Sequence, residues 1–357
     1  MRARRFTPAE LAAAAPGELL GAVLLAPVRL DGGRLPKGAR LDPPAIERLT
    51  AAARAGTLDR AVPLAWPGPD DLHEDEAAER LARAVGGPGV AAGRPRQSRL
   101  DLTARWDGVV HVKVPELTRL NALDPLEVFT LFHGQAVVAG ETVASVKVAP
   151  HVIPRELVEA GERLAHETAP LVDVHPYRAL DVGAIAEETL TPEALARFED
   201  VARRKVEALG SRFAGTLVVG DPDPTAAEDE ARAALEETIR RRRLPIVLVG
   251  GVSAGDPLSP FFAALEALGG RVVRRGVPAH PGSMIWLAEL KDSRLLGLPQ
   301  CGMFTMATAA DLVLPRLLTG ERLTAAELAD MGHGGVLGPE MRFRFPDYAR
   351  DLRAPEG

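Results

Sequence analysis

The stretch Leu244–Asp256, LPIVLVGGVSAGD, joins an apolar run to a glycine-rich loop. Ile246, Val247, Leu248 and Val249, with Val252 just beyond, read as a buried strand ending at Gly250 and Gly251. Ser253, Gly255 and Asp256 complete the loop, and a helical pattern follows over Pro260–Leu268. Strand, tight loop and helix start are the parts of an anion site. Glycine lets backbone N–H groups approach a ligand, and a helix N-terminus adds partial positive charge. The spacing departs from the familiar phosphate loops: G-x-G-x-x-G is absent, and no Gly-Lys-Ser/Thr follows at P-loop distance. A second Gly/Pro-rich element, LGLPQCG, lies downstream at Leu296–Gly302.

Outward from this stretch, strands and helices alternate from about residue 170. Leu180–Ala186, Leu217–Val219, Ile246–Val249, Arg271–Arg275, Ser283–Leu290 and Arg294–Leu298 read as strands. Pro192–Leu209, Thr225–Arg241, Pro260–Leu268 and Thr305–Leu318 read as helices, the last ending at Gly320. The pattern predicts a three-layer α/β/α domain with a mainly parallel sheet, whose ligands sit at the carboxyl ends of its strands.

The first half reads differently. Leu19–Val28 reads as a strand, Leu30–Leu35 as a hairpin turning at Asp31-Gly32, and Pro43–Ala55 as a helix. Glu74–Val85 has an amphipathic helical face of Ala77, Leu81 and Val85. Gly86–Pro95 is a hinge candidate, Val109–Val114 and Glu141–Val148 alternate like strands, and His151–Ala169 reads as a connecting helix. The expected organisation is an N-terminal β/α region over 1–95, a β-rich region with its connecting helix over 96–169, the α/β domain over 170–322, and a tail over 323–357.

Composition narrows function. At 357 residues with 46% hydrophobic and 26% charged residues, the chain has globular values and room for two or three domains. Aromatic content of 4% and a net charge of −6 argue against nucleic-acid binding. A small anion remains open, because local N–H groups and a few arginines suffice to hold one. Arg241–Arg243 fall at a helix end, where cations suit the dipole. One cysteine excludes an internal disulfide and suggests a reducing compartment. No apolar run reaches 18 residues, and Glu10, Glu18 and prolines interrupt the basic-then-apolar start, so the expectation is a cytoplasmic protein with no membrane partner.

Three pieces in order resemble the molybdopterin-binding domain of molybdopterin adenylyltransferases and molybdotransferases. Gly250–Asp256 looks like the family's Gly-Gly-x-Ser-x-Gly-Asp loop, Val277–Gly282 like its Pro-Gly segment, and Gly297-Leu298-Pro299 like its Gly-Leu-Pro turn. Gly21–Leu24, Arg29–Gly38 and the helix at 73–82 resemble the front of a molybdopterin-binding subgroup, and Leu323–Leu337 its tail. The resemblance implies a late step of molybdenum cofactor assembly or delivery. Its ligand is molybdopterin or molybdenum cofactor, with Mg²⁺ and ATP or another nucleotide if transfer occurs. Other cofactor-assembly proteins or molybdoenzymes are its implied partners, in a homo-oligomer.

The chain also departs from that pattern. Leu258 stands where molybdotransferases carry a second acid, Ser283-Met284 where a lysine follows Pro-Gly, and Gln300-Cys301-Gly302 where Gly-Asn-Pro continues. Ala186-Glu187-Glu188-Thr189 replaces a Ser/Thr-Gly-Asp-Glu turn. Losing the lysine removes a phosphate partner. A non-catalytic carrier or regulatory module is therefore a second reading.

Gly250, Gly251, Ser253 and Gly255 are the expected phosphate donors, against a plain strand–helix turn. Asp256 either holds Mg²⁺ or caps the next helix with Pro257 at its first position. Glu187 or Glu188 ends the first strand facing the site or solvent. His280, Pro281, Gly282, Ser283, Gly297, Leu298 and Pro299 are expected to line the pocket. Cys301 is either a soft ligand there or a small buried hydrophobe. The remaining histidines show no metal-ligand spacing. Two further readings keep the fold: a pyridine-nucleotide salvage enzyme, and a hydrolase built on Ser253, whose Gly-x-Ser-x-Gly setting lacks a convincing acid–His pair.

Overall fold

The computed structural model describes residues 1–96, 99–187, 190–256, 258–298, 300–304 and 307–350. Two compact units divide the chain: residues 107–110, 134–138 and those from His175 onward form one, and the remainder up to Val174 forms the other.

The C-terminal unit carries a six-stranded sheet. Its strands in chain order are β1 (Asp181–Glu187), β2 (Arg212–Val219), β3 (Ile246–Gly250), β4 (Arg271–Arg275), β5 (Trp286–Leu290) and β6 (Ser293–Gly297). They lie side by side as β2-β1-β3-β6-β5-β4. Pairings of β1 with β2, β1 with β3 and β3 with β6 are parallel, whereas β5 pairs antiparallel with β6 and β4. The sheet expected to be mainly parallel is thus mixed, with parallel pairing confined to β2-β1-β3-β6. Only Lys291 and Asp292 separate β5 from β6, too short a link for a parallel crossover, so the chain must turn back. Taken over the whole chain, the sheets are mostly antiparallel.

Alternation along the strands sorts side chains onto two faces. Val182, Ala184, Ala186, Ile246, Leu248, Leu287 and Leu296 enter one core, which is closed by α1 (Pro192–Glu207) and other C-terminal helices. Ile185, Val247, Val249, Trp286, Ala288 and Leu295 enter the other, closed by α2 (Pro224–Leu235) and α3 (Pro260–Ala267). Thr191 and Asp223 cap α1 and α2, each followed by proline at the first position. The helix expected over Thr225–Arg241 is α-helical to Leu235 and continues as a π-helix over Glu236–Arg241. The basic run at its end meets acids one turn back, Arg240 on Glu236 at 2.9 Å and Arg241 on Glu237 at 3.3 Å.

The helix expected at Thr305–Leu318 is replaced by a short α4 (Gln300–Phe304) and a separate α5 (Ala310–Leu318). Lys205 of α1 and Asp311 of α5 form a buried ion pair at 2.5 Å. Asp311 also accepts from the Thr308 N–H at 2.9 Å and the Tyr348 hydroxyl at 3.0 Å, so its charge is well compensated. Burial, with Asp311 alongside, pushes the Tyr348 phenol above its usual range.

The N-terminal unit holds a three-stranded antiparallel sheet of Arg2–Phe6, Val62–Trp66 and Val23–Leu24 over helix Pro43–Arg54. Where a strand was expected from Leu19 to Val28, Pro16–Leu19 is helical, Val23–Leu24 is a short strand, and Val28 opens a separate hairpin strand, Val28–Leu30. A four-stranded antiparallel sheet runs Leu126–Thr130, Thr142–Val148, Arg99–Ala104, Val90–Ala92. Helices Glu74–Val85 and Arg155–Glu167 are joined by the two-pronged Arg80–Glu162 pair at 2.8 and 2.6 Å.

Candidate functional site

In the strand order β2-β1-β3, the chain leaves β1 to one side and returns on the other. A crevice opens at such a reversal, beyond the carboxyl ends of the two central strands. Glu187 ends β1 and Gly250 ends β3, so the loop quoted first and the first-strand acid meet at this point.

Buried packing fixes the loop from below. The Trp286 indole N–H donates to the Val252 carbonyl at 2.9 Å, and the Leu298 N–H to that of Val249 at 2.7 Å. A Cβ at Gly297 would lie 2.1 Å from Trp286, and one at Gly250 would lie 2.5 Å from the Met303 methyl. These two glycines thus make room for side chains beneath the loop. Gly251 takes the positive φ, +88°, that starts the turn.

The upper part of the loop is open. Gly251, Ser253, Gly255 and Asp256 are exposed and Ala254 is half-buried. The Gly255 N–H donates to the Ser253 hydroxyl at 3.2 Å, and the Asp256 N–H to the Ser253 carbonyl at 3.2 Å. The amides of Gly251, Ser253 and Ala254 have no acceptor among the described residues. Ser253 has no histidine partner among them either, which leaves a hydrolase reading without its base.

Asp256 does not cap the following helix. Its carboxylate accepts from the Leu258 N–H at 2.9 Å, while α3 begins at Pro260 behind Ser259. Extra residues between the loop and the helix separate the two roles. The Ser259 hydroxyl lies 3.5 Å from the Glu187 carboxylate, which also accepts from the Phe261 N–H in the first turn of α3. Burial is the main force pushing the Glu187 carboxyl up to about 7, and the Asp256 charge adds to it; the two hydrogen bonds pull back. Near neutral pH this group is close to half protonated.

Sequence reading missed Ser259 and Arg275. The Arg275 guanidinium stacks over Phe262 at 3.9 Å and donates to the Asp256 carbonyl at 3.4 Å. It brings a cation to the loop end, a position no motif marked. Beside it, Leu258, Ser259, Phe262 and Arg275 border a hollow of about 510 Å³. Leu258 is 87% exposed at its edge.

The other expected residues divide. Met284, next to Ser283, reaches the loop, its methyl 3.1 Å from a Cβ placed on Gly255. His280, Pro281 and Gly282 are tied elsewhere: His280 exchanges backbone bonds with Gly335 and Leu337 at 2.8 and 2.7 Å, and the Ala309 N–H donates to Pro281 at 2.9 Å. Leu298 is buried beneath the loop. Cys301 is exposed on α4, so the buried-hydrophobe alternative is set aside. Pro257, Glu188 and Pro299 lie outside the described residues.

No family model and no curated protein matches the chain. Among solved structures it is similar to the molybdopterin biosynthesis MoeA protein of Pyrococcus horikosii, at 14% identity over 70% of this chain and 79% of that one, with a TM-score of 0.29. A NadC deletion mutant, solved in two crystal forms, is 12% identical over 54% of this chain and 78% or 80% of the other, with a TM-score of 0.16 in each. At such scores these likenesses carry no argument about ligand or chemistry. The functional reading rests on the residues of this chain.

Proposed function

We propose that the crevice at the ends of β1 and β3 binds molybdopterin or molybdenum cofactor through its phosphate, in late assembly or delivery of that cofactor. One observation carries the anion part of this reading: the amides of Gly251, Ser253 and Ala254, without acceptors among the described residues, in a loop braced by Trp286. Amides left without acceptors in a glycine-rich loop are open to an anion, and Arg275 adds the cation that the missing lysine would supply. The pterin part rests on the sequence resemblance of Gly250–Asp256 and its companion motifs. The hollow beside Arg275 has room for a small organic group.

The residues present fit such a group. The loop amides and Arg275 would hold the phosphate, and a partly protonated Glu187 would avoid repelling it. Asp256 and Glu187 are the oxygen ligands available to Mg²⁺ if a nucleotide takes part. When bound, the dithiolene supplies the sulfur pair that takes up molybdenum. The chain's own residues orient the phosphate and hold a proton on Glu187. Binding is the function they support best; adenylyl transfer or metal insertion is the catalytic extension.

Gly251→Asp places a carboxylate on the exposed loop, in a left-handed position that Asp accepts better than most residues. Calorimetric titration with molybdopterin should show one saturable site in the wild type and none in this variant, with an unchanged circular dichroism spectrum. Equal affinity in both would remove the loop from the site.

A further inference from the structure

The N-terminal unit holds a cavity of about 1040 Å³ bordered by five arginines, Arg4, Arg5, Arg29, Arg34 and Arg60. Asp59 is the one carboxylate bordering it. Arg4 is engaged by Glu10 at 2.5 Å, and Arg60 lies 3.9 Å from Asp59. Arg5, Arg29 and Arg34 make no ion pair among the described residues.

The hairpin of Val28–Leu30 and Gly33–Leu35 sharpens the point. Arg29 and Arg34 are direct partners across it, so their side chains leave the same face. Like charges directly opposite destabilise a hairpin, and here no described carboxylate relieves them. A bound anion would. Guanidinium forks match phosphate oxygens two at a time, and several around one hollow suit a ligand with more than one phosphate. Leu25, Pro27 and Val62 supply apolar wall for an attached organic group.

We infer that this cavity binds a small anion carrying two or more phosphate groups, clamped by Arg29 and Arg34 with Arg5 behind them. The probe is inorganic tripolyphosphate, titrated calorimetrically into the full chain at low salt. Using the Gly251→Asp background keeps the loop after β3 from contributing. One saturable site is expected, weakening as salt rises. Arg29→Ala/Arg34→Ala should lose at least tenfold in affinity. Arg34→Glu should abolish binding while leaving the melting temperature equal or higher, because it turns a repulsive pair into an attractive one. Absence of a saturable site, or wild-type affinity in Arg34→Glu, would overturn the assignment.

Discussion

Glu187 is the site residue whose acidity its surroundings change most clearly. Its carboxyl titrates near 7 in the folded chain, against an ordinary value of 4.5, chiefly because burial disfavours the charge. The stability gained from burying the neutral form is fully present below about pH 4.5 and is lost as pH rises through about 7. Glu187→Gln has no titrating proton to lose. Its melting temperature relative to wild type should therefore rise between pH 5 and pH 8, and a constant difference across that range would contradict the account. Gly297 offers a steric counterpart. Alanine there would press on the Trp286 ring, and overpacking of this kind costs about 3 kcal/mol, measurable by urea unfolding. The sequence made Gly297 a pocket residue, because a glycine beside a ligand and a glycine beneath an indole look alike until the fold places Trp286.

Elements were legible where local pattern decides them. Glu74–Val85 and Arg271–Arg275 have the bounds their periodicity predicts, and β3 is buried throughout, as its apolar run requires. Strands whose partners lie far away in sequence were harder to see: Arg2–Phe6 is mostly exposed and polar, and pairing with Val62–Trp66 makes it a strand. α3 starts at Pro260 as its pattern predicts, but its cap is Ser259 and not Asp256, and nothing local shows that the Ser259 hydroxyl faces Glu187. The site was legible as a loop, whereas Arg275 and Ser259 reach it only through tertiary packing.

Two element-level predictions follow from that packing. Trp286→Phe removes the bond to the Val252 carbonyl, so the hydrogen-bonded loop amides of Gly255 and Asp256 should exchange hydrogen faster while β3 stays protected. Unchanged loop exchange would show that the indole does not brace it. Lys205→Met leaves Asp311 buried without its cation and should cost about 3–5 kcal/mol in denaturant unfolding. A loss under about 1 kcal/mol would mean that Thr308 and Tyr348 alone satisfy the carboxylate.

At the scale of the whole molecule, a net charge of −6 coexists with a local cluster of five arginines around one cavity. On the proposed readings, capture of an anion depends on where amides and guanidiniums are concentrated: the loop after β3 with Arg275 in one unit, and the arginine-lined cavity in the other. Among the described residues no helix is long and apolar enough to cross a membrane. The central claim is that the loop after β3 holds a phosphorylated pterin. It is tested most directly by the pterin content of the wild-type chain and of Gly251→Asp, purified from a host that makes the cofactor and analysed by mass spectrometry and fluorescence of the released material. The account predicts pterin in stoichiometric amount with the wild type and none with the variant. Pterin-free wild type that also fails to take up added molybdopterin, or equal pterin in both proteins, would contradict it.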